Sequence, residues 1–432
     1  MGDHGEGTHY RKGILSNGMR IVTEFIPHVH SVAVGCWIIG GSRIENEADS
    51  GIAHFIEHML FKGTERRSAR DIAIEIDSIG GHLDAFTSKE VTAVLANVLD
   101  EHLPLAIDLL TDLIFYPIFP EDELERERSV ILEEIRMIED MPDEYIDDMY
   151  LKKLWPDHPL GRSITGIASN IEKFSRTDII DYYKKNFLPP KIVLVAVGNF
   201  EHERLKELIE KSCERLSFPH AQPYEFHVAD SPPFTSHISA EARDLEQVHM
   251  CVGTLGLSQN HDKRYAGYLL TTILGGSISS RLFQRVREER GLAYSIYSFM
   301  TNYLDIGNLT VYAGTKKESV GEVIDLILQE LKNIKAAFVD EKELERGKNQ
   351  LKGNLMLSLE STVNRMSKLA KQEIYFKRHF PLEDILRFID EVSLEDIHAL
   401  ANQIINSRYI NLATLGPFDF EDFDQSRILE LN

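Results

Sequence analysis

The chain has 432 residues, a length that suits two or three domains, each large enough to bury a core. With 43% hydrophobic and 27% charged residues it is globular, which excludes disordered and collagen-like classes. Lys and Arg number 47 against 69 Asp and Glu, and the resulting formal charge of −22 disfavours nucleic acid and anionic membrane surfaces and favours basic peptides.

The first 13 residues carry no apolar stretch of the kind a signal peptide needs, and no run is long enough for a transmembrane helix. Residues 13–23 read as a hairpin turning at Asn17-Gly18. Residues 31–39 are β-rich and suit a central strand. Residues 51–61 have helical periodicity, and 69–79 form a second helix stopped by Gly80-Gly81. Two strands follow, 82–88 and 91–99, then one long helical pattern over about 121–150 and a short strand at 191–197 closing on Gly198. The three cysteines, Cys36, Cys213 and Cys251, form no CxxC. They read as small buried groups in a reducing compartment.

Residues 217–236 change character, with Pro219, Pro223, Pro232 and Pro233, and read as a linker. Beyond it the pattern starts again: a strand at 248–255, a helix at 265–274, strands at 292–300 and 307–312, and a last strand at 410–415 closing on Gly416. The expected fold is therefore α+β, with two similar domains, 1–216 and 237–432. Each would be a largely antiparallel sheet with helices packed on one face.

The sharpest chemical feature is His54-Phe-Ile-Glu57-His58 on the 51–61 helix. At about 100° per residue, Glu57 and His58 fall near His54 on the helix surface. Two imidazoles at i and i+4 can bind one metal ion, and the carboxylate between them in angle can reach a water at the metal's open position. This is the inverzincin order of HExxH, and zinc suits it. By itself the motif is open between a metal site and a chance pattern. A third ligand is offered on the 121–150 pattern, where Glu127 and Glu134, seven apart, share a face with Ile131. Spacing alone leaves that pair open between a buried pair needing a cation and a solvated acidic face. His28, His30, His82 and His158 are weaker candidates, for they stand in a loop, at a strand start or before proline.

The segment Gly51-Ile-Ala-His-Phe-Ile-Glu-His-Met-Leu-Phe-Lys-Gly-Thr64 resembles the catalytic segment of the pitrilysin/insulinase metallopeptidases, above all the processing-peptidase β-type and its bacterial homologues. The resemblance extends over nearly the whole chain, including Gly80-Gly81, Pro159-Leu-Gly-Arg162 and the second domain. It implies one Zn²⁺ per chain on His54, His58 and Glu134. Glu134 stands 76 residues after His58 in Val130-Ile-Leu-Glu-Glu134. Glu57 would be the general base and Glu127 a supporting carboxylate. One departure is Asp84, where the family often has Asn. Substrate would lie extended along Leu83, Asp84, Ala85, Phe86 and Thr87.

The second domain lacks HxxEH. Taken alone, Arg287 is a surface helix charge and Tyr294 a strand aromatic. The resemblance implies instead that this pair, seven apart in Glu-x-x-Gly-Leu-x-Tyr, holds substrate backbone opposite the zinc. Likewise Glu144 and Asp148, i and i+4 within an acidic run, are a solvated face on pattern alone, and by resemblance bind a substrate arginine near the cut. The implied protein is a zinc endopeptidase acting on unstructured basic peptides. A homodimer would close as a clamshell chamber in the bacterial cytoplasm or, alternatively, the mitochondrial matrix. The competing reading is a non-catalytic partner subunit of the same fold.

Overall fold

The computed structural model describes residues 9–214, 216, 221–226, 228, 231–336 and 339–418. Most of the N-terminal stretch read for a signal, and part of the expected linker (217–220, 227, 229 and 230), lie outside them.

The chain divides into two compact units. The first holds strands β1 (His9–Ile14), β2 (Arg20–Phe25), β3 (Ser31–Ile39), β4 (His82–Thr87), β5 (Val91–Leu99) and β6 (Ile192–Gly198). They lie in the order β1-β2-β6-β3-β5-β4, antiparallel except for the parallel β2–β6 pair. The β1–β2 hairpin turns where expected: Gly18 takes φ 85°, and the Asn17 side-chain oxygen accepts from the Met19 amide at 3.1 Å. The second unit holds β7 (His237–Ala242), β8 (Val248–Leu255), β9 (Ala293–Asn302), β10 (Gly307–Thr315) and β11 (Asn411–Gly416), in the order β7-β11-β8-β10-β9 with β7–β11 parallel. Strand for strand, this repeats β2-β6-β3-β5-β4, so the two sheets share one topology.

Both faces of each sheet are covered, where the sequence reading put helices on one. In the first unit Val32, Val34, Cys36 and Ile38 of β3 pack with Phe55, Leu109 and Leu205 from helices Ile52–Leu60, Leu103–Phe115 and His202–Ser212. The alternate residues Ala33, Trp37 and Ile39 pack with Met366, Leu369 and Ala370 of helix Thr362–Lys371. In the second unit the outer face, with Cys251, Tyr312, Ala413 and Leu415, is covered by Ile146, Tyr150 and Leu154 of helix Pro142–Leu154. The units are accordingly not consecutive stretches: 137–162 belongs with the second, and 358–379 with the first. The expected 1–216 and 237–432 division differs by these exchanged pieces. A strand buried on both faces reads as a continuous apolar run, and β3 is one.

The single helix expected over 121–150 is two, Glu121–Asp140 and Pro142–Leu154. Proline disfavours the helical region for the residue before it, and Met141 sits at φ −106°, ψ 94°. Pro142 then opens the next helix, where its missing N–H costs nothing.

Candidate metal centre

The nine-residue helix Ile52–Leu60 enters at Gly51, whose φ of 98° suits glycine. A β-carbon there would come within 2.8 Å of the Gly166 α-carbon, so the bare backbone is also what lets the two segments pass. Ile52, Phe55, Ile56 and Met59 face the core and fix the helix by burial. His54 and His58 emerge one turn apart, with ring centroids 4.7 Å from each other. Helix Glu121–Asp140 presents Glu134 to them, while Ile131 and Leu124 anchor its buried side and Val130 points outward. The face shared by Glu127, Ile131 and Glu134 is the one that packs inward.

His54 Nε2 lies 3.6 Å from one Glu134 carboxylate oxygen, and His58 Nε2 lies 3.5 Å from the other. These are long for hydrogen bonds. They match the edge of a tetrahedron with about 2.1 Å bonds, which is about 3.4 Å. The three ligand atoms all lie within 4.8 Å of one another, and among the described residues no other three His, Cys, Asp or Glu side chains gather in this way. His28, His30, His82 and His158 are not in the group. His58 Nδ1 lies 3.0 Å from Glu127, and the other Glu127 oxygen pairs with Lys62 at 2.7 Å. Donating Nδ1–H to a carboxylate leaves Nε2 as the lone-pair nitrogen, the usual arrangement behind a metal-binding imidazole. Two neutral nitrogens and one carboxylate oxygen are a donor set that fits zinc and leaves one position open.

The electrostatics agree. Burial, reinforced by His58, pushes His54 down to about 4, so it stays neutral. Burial also works against charge on His58, but hydrogen bonds to Glu127 and Glu134 and the nearby Glu57 outweigh it and raise the group to about 9. Glu134 is held low by its contact with His58. Burial raises Glu127, yet its bonds to His58 and Lys62 bring it below the ordinary carboxylate range. Three carboxylates around two imidazoles draw a cation inward.

Residues 20–167 match the family model described as insulinase (peptidase family M16), and residues 173–351 match that of the peptidase M16 inactive domain. The chain is 40% identical over 401 residues to an uncharacterized zinc protease, YmxG, of Bacillus subtilis, covering 93% of this chain and 97% of that one. The chain belongs to peptidase family M16. An uncharacterized zinc protease of Mycobacterium tuberculosis is 39% identical over 412 residues, 94% of this chain and 93% of the relative. The crystal structure of a peptidase M16 inactive domain from Pseudomonas fluorescens superposes with a TM-score of 0.87 at 20% identity, over 95% of this chain and 98% of that one. The fold is thus that of M16 peptidases.

Within this M16 chain Glu57 points away from the trio toward β4, where the Thr87 hydroxyl donates to it at 2.6 Å. Burial raises its pKa, and the Thr87 bond opposes that rise. Strand β4 is the free edge of the first sheet. Asp84 and Phe86 are exposed, while Leu83, Ala85 and Thr87 turn toward the helices. Asp84 uses one oxygen to accept from the Ala85 amide.

In the second unit Arg287 and Tyr294 do come together. The guanidinium carbon lies 5.1 Å from the Tyr294 ring centroid and 4.7 Å from that of Phe283, and Tyr294 is 77% exposed. The acidic run separates differently from the expectation. Glu144, with Asp143 and Asp147, lines an open cleft of about 420 Å³ whose other wall is Tyr297, Phe299 and Tyr312. The Tyr297 and Tyr312 rings stack at 5.0 Å. Asp148 is not among the residues lining it, because the helix restarts at Pro142 and i, i+4 neighbours on a short helix packed flat on a sheet do not share one rim. Asp143 and Asp147 in the cleft, Thr87 behind Glu57 and Lys62 behind Glu127 were not singled out from sequence. Lys62, one turn beyond His58, was legible from helical spacing.

Proposed function

We propose that this chain is a zinc-dependent endopeptidase. The observation that carries the reading is the convergence of the two imidazole Nε2 atoms on the two oxygens of Glu134, with Glu57 on the same helix. His54, His58 and Glu134 would hold Zn²⁺. When bound, the ion supplies a Lewis acid for the scissile carbonyl and lowers the pKa of water. Glu57 takes a proton from the attacking water and returns it to the leaving amine. Thr87 keeps that carboxylate aimed, and its place at the end of β4 ties the base to the strand on which substrate would pair. An extended peptide added to the free edge of β4 gains main-chain hydrogen bonds with little demand on sequence. Metal content measured together with cleavage of a quenched peptide tests the reading. One zinc per chain and turnover lost to chelator and restored by zinc are expected. Zinc without cleavage would favour the non-catalytic subunit instead.

Arg287 and Tyr294 are assigned to hold peptide carbonyls, the guanidinium through its fork and the phenol through one hydroxyl. Arg287→Ala should lower kcat/KM by about ten- to a hundredfold and Tyr294→Phe by up to about tenfold, on the scale of lost hydrogen bonds, with zinc content unchanged. Unaltered kcat/KM in both would return them to surface roles.

The substrates assigned are short unstructured peptides with arginine near the N-terminal side of the cut, bound through Glu144 and Asp148, in a chamber closed by two copies of the chain. The −22 charge favours such peptides. Cleavage of an Arg peptide should exceed that of its Ala counterpart, and the difference should shrink with added salt. Glu144→Gln/Asp148→Asn should erase the difference. If wild type cuts both peptides alike, the acidic run is only surface. Sedimentation at about twice 49.3 kDa would support the homodimer.

A further inference from the structure

A helix leaves its first amides without partners, and in most helices the N-cap side chain takes one. The metal helix Ile52–Leu60 has Gly51 in that place, which has no side chain to offer. Its amides are met from elsewhere. The Gly51 N–H donates to one oxygen of Glu45 at 2.9 Å, and the Ala53 N–H to the other oxygen, also at 2.9 Å. Glu45 is only 3% exposed. A carboxylate in that setting is costly unless its oxygens are matched, and here the match is two backbone donors at the positive end of a helix.

The segment that carries Glu45 is itself pinned. Gly40 N donates to Glu90 O at 2.8 Å, Ser42 N to Ser88 O at 3.0 Å and Arg43 N to Lys89 O at 2.7 Å. Arg43 and Glu90, both buried, form an ion pair at 2.7 Å. Residues 88–90 join β4 to β5, directly after the Thr87 that holds Glu57. One short arm, 40–45, therefore references the start of the metal helix to the turn that also fixes the base. Ala53, the amide Glu45 grips, is the residue before His54.

We infer that Glu45 is a positioning residue for the metal centre, setting the first turn of the helix and with it the His54 imidazole. This rests on the zinc reading above. It acts in two ways. Its two bonds stop the first turn of a nine-residue helix from fraying, and its charge offsets the positive helix end beside which a cation must sit.

The test uses the full chain with Glu45→Gln. The amide keeps the shape but turns an NH2 toward one of the two donors and removes the charge. In the metal-free protein, hydrogen exchange at the Gly51 and Ala53 amides should rise about tenfold or more. The zinc dissociation constant, by chelator competition, should rise about tenfold, the lower end of what loss of a supporting partner costs. Leu205→Ala, a core deletion on another helix of the same unit, is the control. At equal loss of Tm it should leave both readouts at wild-type values. Should Glu45→Gln fail to accumulate, Glu45→Asp keeps the charge on a shorter stem and reads the same two quantities. Unchanged exchange, faster exchange with unchanged zinc affinity, or an equal loss of zinc affinity in Leu205→Ala would each overturn the inference. If wild type binds no zinc, the zinc reading fails, while the exchange measurement still decides whether Glu45 holds the turn.

Discussion

Glu57→Gln is expected to keep its zinc and lose nearly all turnover. Glu57 contributes no atom to the trio of His54, His58 and Glu134, so the ligand set survives the change. The amide is nearly isosteric, and its oxygen can still accept the Thr87 hydroxyl that now meets the carboxylate at 2.6 Å. What disappears is the basic site. An amide does not take up a proton at neutral pH, and removing a general base costs about a hundred- to ten-thousandfold in rate. The check is kcat on a quenched peptide beside metal content by emission spectroscopy. More than about a tenth of wild-type kcat, set against that range, would remove Glu57 from the role of base.

The second large effect separates two neighbours. Glu134→Ala should weaken zinc binding by more than about a hundredfold, since even supporting partners are worth ten- to a hundredfold and this residue is a ligand. Glu133→Ala should leave zinc affinity within about twofold, as expected for a change on an exposed face. Adjacent helical residues point about 100° apart. Glu133 has a side chain 70% exposed that pairs with Arg136, three residues on, whereas Glu134 meets both imidazoles. Equal zinc loss in the two variants, or loss in neither, would mean that the third ligand is elsewhere.

Much of this was legible in the sequence because it is local. The spacing of His54, Glu57 and His58 is helical geometry written in one dimension. The seven-residue step from Glu127 to Glu134 is the same arithmetic on a second helix. Asn17-Gly18 and Gly80 mark turns for reasons of backbone freedom. What stayed hidden depends on partners distant in the chain. An amphipathic pattern tells which side of helix 142–154 is buried but not against which sheet, so its place under β8 and β11 could not be read. The split at Met141–Pro142 was written in the proline, yet the rotation it gives Glu144 and Asp148 depends on how that helix beds down. Glu45 looked like one acid in an acidic stretch, since nothing in 41–47 says that its carboxylate reaches the amides of Gly51 and Ala53.

The exchanged helices bear on how the protein comes into being. As synthesis proceeds from the N-terminus, every strand of the first sheet is present by residue 198, but the helix that covers Ala33, Trp37 and Ile39 begins only at Thr362. For some 160 residues of further translation that apolar surface has no native cover, and helix 142–154 waits equally long for strand β11, at 411–416. Neither half is expected to reach its native state as a separate polypeptide. A protein cut between residues 217 and 236 after folding should hold together, whereas the same two pieces made apart should aggregate until they are mixed.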